Sequence, residues 1–128
     1  MLTAVTTDSP VLNSLVSQNF GRCTFFILFD ENKNSTEINR NPFANTLGIG
    51  AGIQLAQLLV KKNVDLIITN QMGNGPFRLL ISASIKVFHG MGLTAVQAVE
   101  LLAKNDLPLM TIPSMLTGSK DRKRYGTN

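Results

Sequence analysis

Hydrophobic and polar positions alternate along the chain in two rhythms, and their order predicts the elements. The run Val64-Asp65-Leu66-Ile67-Ile68-Thr69 is short, rich in β-branched residues and polar at its borders, which predicts a strand buried on both faces, the central one. Asn70 to Pro76 follow, then Phe77, Leu80 and Ile81 at helical spacing: a strand, a glycine turn and a helix from Pro76 to Ala83. Pro76 suits the first helical position, where its missing N–H has no intrahelical acceptor. Such a helix start leaves N–H groups facing the turn, a place that favours anions. The same glycines also fit a plain tight connection.

The remaining elements follow in the same way. Leu2 to Thr7 reads as a first strand, Cys23 to Phe29 as a strongly apolar second, and Thr36 to Arg40 as a polar edge strand after the turn Asp30 to Ser35. Gly48-Ile49-Gly50-Ala51-Gly52 leads into a helix to about Lys62, with Ile49, Ile53, Ala56 and Val60 on one face and Leu55 and Leu59 widening it. Its glycine spacing and its position after an edge strand exclude a dinucleotide fingerprint. Ile85 to Phe88 is a fifth strand, and Thr94-Ala95-Val96-Gln97 is a capping box opening a last helix to about Lys104, with Ala95, Ala98, Val99 and Leu102 inward. Asp106 to Pro113 is extended. Antiparallel hairpins followed by two crossovers give an α/β fold with a mixed five-stranded sheet in the order 3-2-1-4-5, flanked by helices.

Composition narrows the setting. A chain of 128 residues, 44% hydrophobic, makes one domain, placed at residues 1–113. No apolar run reaches the roughly 18 residues that cross a bilayer, and no signal-peptide layout opens the chain, so a soluble, cytoplasmic protein without a membrane partner is expected. Residues 117–128 carry Lys120, Arg122, Lys123 and Arg124 against Asp121 within a chain of formal charge +4. The body is nearly neutral and has no basic stripe interleaved with aromatics, which argues against nucleic acid. Residues 114–128 read as a basic, disordered tail.

In the 3-2-1-4-5 order one sheet edge collects Asp8, Arg22 with Cys23, Asn41, the Gly48–Gly52 helix start, Asn70 to Gly75, and His89, and ligands of open α/β sheets bind at that carboxyl edge. His89 is the one histidine and Cys23 the one cysteine. His89 has two readings, a turn residue or a metal ligand, and Cys23 has three, a buried thiol, a metal ligand or a reactive group. Strands 2 and 5 lie three steps apart, about 14 Å, so one ion cannot take both. A bare ion also wants three or four ligands, and a preassembled anionic cluster held by few contacts fits better. Two-metal nuclease chemistry needs converging carboxylates, and Asp8 is the one acid at a strand end here; an enzyme is not expected.

Asn19-Phe20-Gly21-Arg22, Gly50-Ala51-Gly52-Ile53, Val64 to Ile68, Met72-Gly73 and Ile85 to Phe88, in this order, resemble the dinitrogenase iron-molybdenum cofactor-binding family over about residues 1–104. The resemblance implies a ribonuclease-H-like sheet and a non-enzymatic role binding or carrying a metal-sulfur cluster, of iron-molybdenum or molybdenum-copper sulfide type. It implies a cofactor-binding set of Phe20, Gly21, Arg22, Gly50, Gly52, Asn70, Met72, Gly73 and Gly75, with His89 and Cys23 as candidate metal ligands, and a cluster donor or acceptor protein as partner. Ser84 departs from it, standing where the family has glycine before the fifth strand, a change a helix C-cap can absorb. The alternative is an interaction domain of this fold without a cluster. Because residues 117–128 offer almost no apolar surface to bury, their removal is expected to leave the melting temperature essentially unchanged; a thermal melt of the truncated chain checks this.

Overall fold

The computed structural model describes residues 1–48 and 50–113; the expectations for Ile49 and for the tail from residue 114 lie outside the described residues. Eight elements follow in order: β1 Leu2–Thr7, β2 Phe25–Asp30, β3 Ser35–Arg40, α1 Ala51–Lys61, β4 Leu66–Thr69, α2 Asn74–Ser82, β5 Lys86–His89 and α3 Ala95–Ala103. The sheet order is β3-β2-β1-β4-β5. β2 runs antiparallel to both β1 and β3, and β1, β4 and β5 are parallel. The mixed five-stranded sheet expected from the hydrophobic order is therefore the one observed.

The middle position differs from expectation. β1 rather than β4 is the middle strand, because two strands lie on each side of it. β4 remains interior, and its apolar run is explained by helices on both faces. Alternation sorts the strand residues into two cores. Ala4, Phe26, Leu28, Ile67 and Val87 meet Leu55, Ala56 and Leu59 of α1 and Phe77 and Leu80 of α2 on one face. Val5, Ile27 and Ile68 meet Ala95 and Ala98 of α3 on the other. Between β1 and β4, the hydroxyls of Thr6 and Thr69 satisfy each other at 2.7 Å where both residues are fully buried.

Loop 8–22 is built into the fold. Ser17 N donates to Thr6 O (2.8 Å), Phe20 N to Gln71 O (2.9 Å) and Ala95 N to Ser14 O (2.9 Å). The segment after α3 docks along the outer edge of β5, with His89 N donating to Pro108 O (2.9 Å) and Met110 N to Val87 O (2.7 Å). Leu107 and Met110 are buried by it. One sheet edge is thus covered by chain, where charged side chains or prolines would otherwise have to discourage strand pairing.

The capping box of α3 is present in both directions, Gln97 N donating to Thr94 Oγ1 and Thr94 N to Gln97 Oε1. Two helix expectations need correction. α2 starts at Asn74 after an N-cap at Gly73, so Pro76 occupies the third helical position rather than the first; its missing N–H costs nothing there either, since that amide too lacks an intrahelical acceptor. Ile53 is 40% exposed rather than inward, and Ala51, Leu55, Ala56 and Leu59 form the buried face of α1. Ser84 follows the C-cap of α2 with φ +64, a left-handed conformation that a Cβ disfavours. Ser84→Gly is expected to stabilise the protein by about 1 kcal/mol, read as a raised denaturation midpoint with an unchanged slope.

Candidate functional site

The site is set by how closely three backbone segments approach at the carboxyl edge. A Cβ placed on Gly21 would lie 2.6 Å from Gly52 N and 2.7 Å from Gly52 Cα. The loop after β1 therefore rests directly on the first turn of α1. One placed on Gly52 would meet Pro76 Cγ at 3.0 Å, and one on Gly75 would meet Ile53 Cδ1 at 2.9 Å. The starts of α1 and α2 also lie close, here through glycine against a side chain. Gly50, the N-cap of α1, has φ +120 and open space around it, so there it is the backbone angle that asks for glycine.

These approaches leave a cleft of about 610 Å³ lined by Asn19 to Arg22, Gly48, Gly50 to Ile53 and Gln71 to Pro76. Among the described residues, Arg22 is the one charged residue in that lining and no acid contributes to it. Neither helix has an acidic residue in its first turn, so the N–H groups and the positive dipole ends are not answered by carboxylates. Phe20 and Met72 are 1% and 0% exposed and belong to the core beneath. They make the cleft floor apolar.

Of the residues expected from the sequence, Phe20, Gly21, Arg22, Gly50, Gly52, Met72, Gly73 and Gly75 meet in this cleft. Asn70, Cys23 and His89 are not part of its lining. Asn70 is buried and its amide donates to Ser17 O at 2.9 Å, which pins loop 8–22 to β4. Cys23 lies just before β2 instead of inside it. It is 1% exposed, and burial, with a smaller effect from Asp8, pushes its thiol up to about 12 against the help of the Asn41 contact. Burial thus holds this thiol in its neutral form at physiological pH. His89 ends β5, paired with Thr69, rather than following the strand.

Several contributors stand outside the expected cofactor-binding set, although the sequence places Asn41 and the stretch from Asn70 to Gly75 at this edge. Asn41, buried, donates through Nδ2 to Gly21 O (3.0 Å) and Cys23 O (2.8 Å), joining the end of β3 to the Gly21 loop. Asn74, Gln71 and Ile53 also line the cleft. For Asn74 a signal existed, since it lies between two glycines already singled out; for Asn41 only the three-dimensional approach of β3 reveals its partners.

The family described as dinitrogenase iron-molybdenum cofactor matches the chain over residues 1–105. Among solved structures, the apo orange protein from Desulfovibrio gigas is similar at 34% identity and a TM-score of 0.81, covering 88% of this chain and 94% of that one. A Thermotoga protein provisionally named NifB and placed in the DUF35 family shares 29% identity, with a TM-score of 0.75 and coverage of 86% and 93%. A Methanocaldococcus jannaschii protein provisionally described as a dinitrogenase shares 21% identity with a TM-score of 0.66, covering 88% and 97%, and supports the fold alone. No curated protein matches the chain.

Burial lowers the His89 pKa from its ordinary 6.5. The unfolded chain then binds the proton more readily than the folded one, so this residue's contribution is whole above pH 6.5 and is lost as pH falls towards the lower folded value. The stability of the wild type should therefore fall more steeply below pH 6.5 than that of His89→Asn, as denaturation series at several pH values will show.

Proposed function

The chain belongs to the dinitrogenase iron-molybdenum cofactor family, and we propose that it binds or carries a preassembled metal-sulfur cluster in the cleft between α1 and α2. The observation that carries this reading is the meeting of two helix N-termini and one guanidinium in a cleft without an acid. A polyanionic sulfide cluster would find N–H donors and positive charge there together.

The donor set favours such a cargo over a bare ion. Among the described residues no group of three or more His, Cys, Asp or Glu could hold a metal ion. A cluster that arrives with its own sulfides needs no such group. Amides of Ala51, Gly52, Asn74 and Gly75 would receive its negative face, and Phe20 and Met72 would lie beneath it. The cargo is of iron-molybdenum or molybdenum-copper sulfide type, the role is non-catalytic, and a donor or acceptor protein completes the transfer. The exchange takes place in the cytoplasm; no helix among the described residues is long and apolar enough to cross a membrane.

A second reading, an interaction domain without a cluster, has one specific observation in its favour. Packing alone accounts for Gly21, where a Cβ would strike main-chain atoms of Gly52, and it crowds Gly52 and Gly75 against the Pro76 and Ile53 side chains. Gly73 separates the two. Its φ is −74, and a Cβ there would meet only Pro76 Cδ at 3.9 Å. Neither backbone angle nor packing asks for glycine.

Gly73→Ser exploits this. Serine is a better N-cap than most residues, and its hydroxyl would accept from the Gly75 N–H that a bound anion needs. The variant is expected to fold with equal or slightly higher stability, yet to bind copper-thiomolybdate or iron-molybdenum cofactor roughly tenfold more weakly than wild type in anaerobic titration. Equal binding by both proteins would move the site elsewhere, and binding by neither would leave the interaction domain in front.

A further inference from the structure

Arg22 is expected, on charge alone, to face an anion directly. Its geometry is different. One terminal nitrogen, Nη1, donates to the carbonyls of Thr46 and Ala44, the latter at 3.4 Å, and the other, Nη2, donates to Gly48 O at 2.6 Å. Three of the five guanidinium N–H groups are thereby committed to alternate carbonyls of the loop that delivers the chain to α1. The backbone of Arg22 is fixed as well, its N–H donating to Asn19 Oδ1 at 3.2 Å. No salt bridge to Arg22 is present among the described residues.

The neighbours of Arg22 act in the same direction. Phe20 anchors the loop in the core, and Gly21 lets it lie against Gly52 in the first turn of α1. The residue whose carbonyl Nη2 holds, Gly48, stands two positions before the Gly50 N-cap. The loop's own support is an Asx turn at its start, Phe43 N donating to Asn41 Oδ1 at 2.9 Å, and two longer bonds, Ala44 N to Asn41 O at 3.4 Å and Thr46 N to Phe43 O at 3.1 Å. A planar fork that grips three carbonyls at once fixes the peptides up to Gly48 and so sets how the chain enters α1.

The geometry points to Arg22 as a positioning residue: its guanidinium clamps loop 44–48 and thereby aims the first-turn N–H groups of α1 into the cleft, so that a bound anion depends on the clamp more than on the Arg22 charge. This rests on the cluster-binding reading above. Carbonyl dipoles gathered around the guanidinium offset part of its field at the cleft, which is why charge is the smaller share. Lysine would keep the charge, but a point-like ammonium cannot reproduce the fork.

The test compares wild type, Arg22→Lys and Arg22→Ala in two measurements, after thermal melts show that the variants fold; Arg22→Gln replaces any variant that does not. Amide hydrogen exchange on the ligand-free protein reads Thr46 N–H and Gln54 N–H, the latter bonded to Gly50 O at 3.0 Å. Titration with tetrathiomolybdate plus copper(I), over a series of salt concentrations, reads binding. Both variants are expected to exchange faster at these amides and to bind roughly tenfold more weakly, to the same extent, with the salt slope of the wild type. Wild-type affinity in Arg22→Lys, a flattened salt slope confined to Arg22→Ala, or unchanged exchange would each overturn the positioning role. A wild type that binds no probe would overturn the cluster reading and the ligand side of this role together. That outcome is distinct from rescue by lysine, which overturns the role of Arg22 and leaves the cluster reading standing.

Discussion

The site depends on backbone lying against backbone. Gly21 touches the first turn of α1 at a distance no side chain would permit, and Gly52 and Gly75 bring the starts of α1 and α2 together over Pro76 and Ile53. A methyl group on Gly21 would have to displace main-chain atoms of Gly52 rather than the tip of a flexible side chain. Overpacking of that kind typically costs about 1–3 kcal/mol, a large share of the stability of a small domain. The cleft is what remains around these contacts, so its shape is fixed by the same glycines that hold the edge of the fold together.

That arrangement explains how the cleft gathers amide donors with so little charge. Parallel β1, β4 and β5 return the chain through helices, and the starts of α1 and α2 therefore lie on the same edge. Each start leaves amides without intrahelical acceptors. Where a carboxylate might have capped them, the chain places glycine at both N-caps. Phe20 and Met72 close the floor with apolar surface, which strengthens the interaction of those amides with an anion by excluding water.

Much of this was legible in the sequence. Short β-branched runs, the Asp30 to Ser35 turn and the Thr94 capping box fix element types, and short connections then leave one economical strand order. Ser84 was legible as a departure, and its positive φ shows what glycine would serve there. What failed did so for physical reasons. Periodicity assigned Ile53 to the core because a cleft wall and a core face both want apolar residues. β4 looked central because burial on both faces marks an interior strand without saying which one. Cys23 and His89 shared the edge in topology, yet a residue or two of register decides whether a side chain meets the cleft. The Arg22 clamp was invisible because its partners are main-chain carbonyls more than twenty residues away, and no residue type announces a carbonyl.

The central claim is that the amides at the starts of α1 and α2 receive a cluster. The most direct measurement is an anaerobic titration of isotope-labelled protein with copper-thiomolybdate, followed amide by amide in nitrogen–proton correlation spectra. The account predicts saturable shifts concentrated at Ala51 to Ile53 and at Gly73 to Gly75, with little change along β3. Shifts concentrated instead in the groove lined by Phe29, Asp30, Phe88 and Leu102, or no saturable shifts at either helix start, would contradict it.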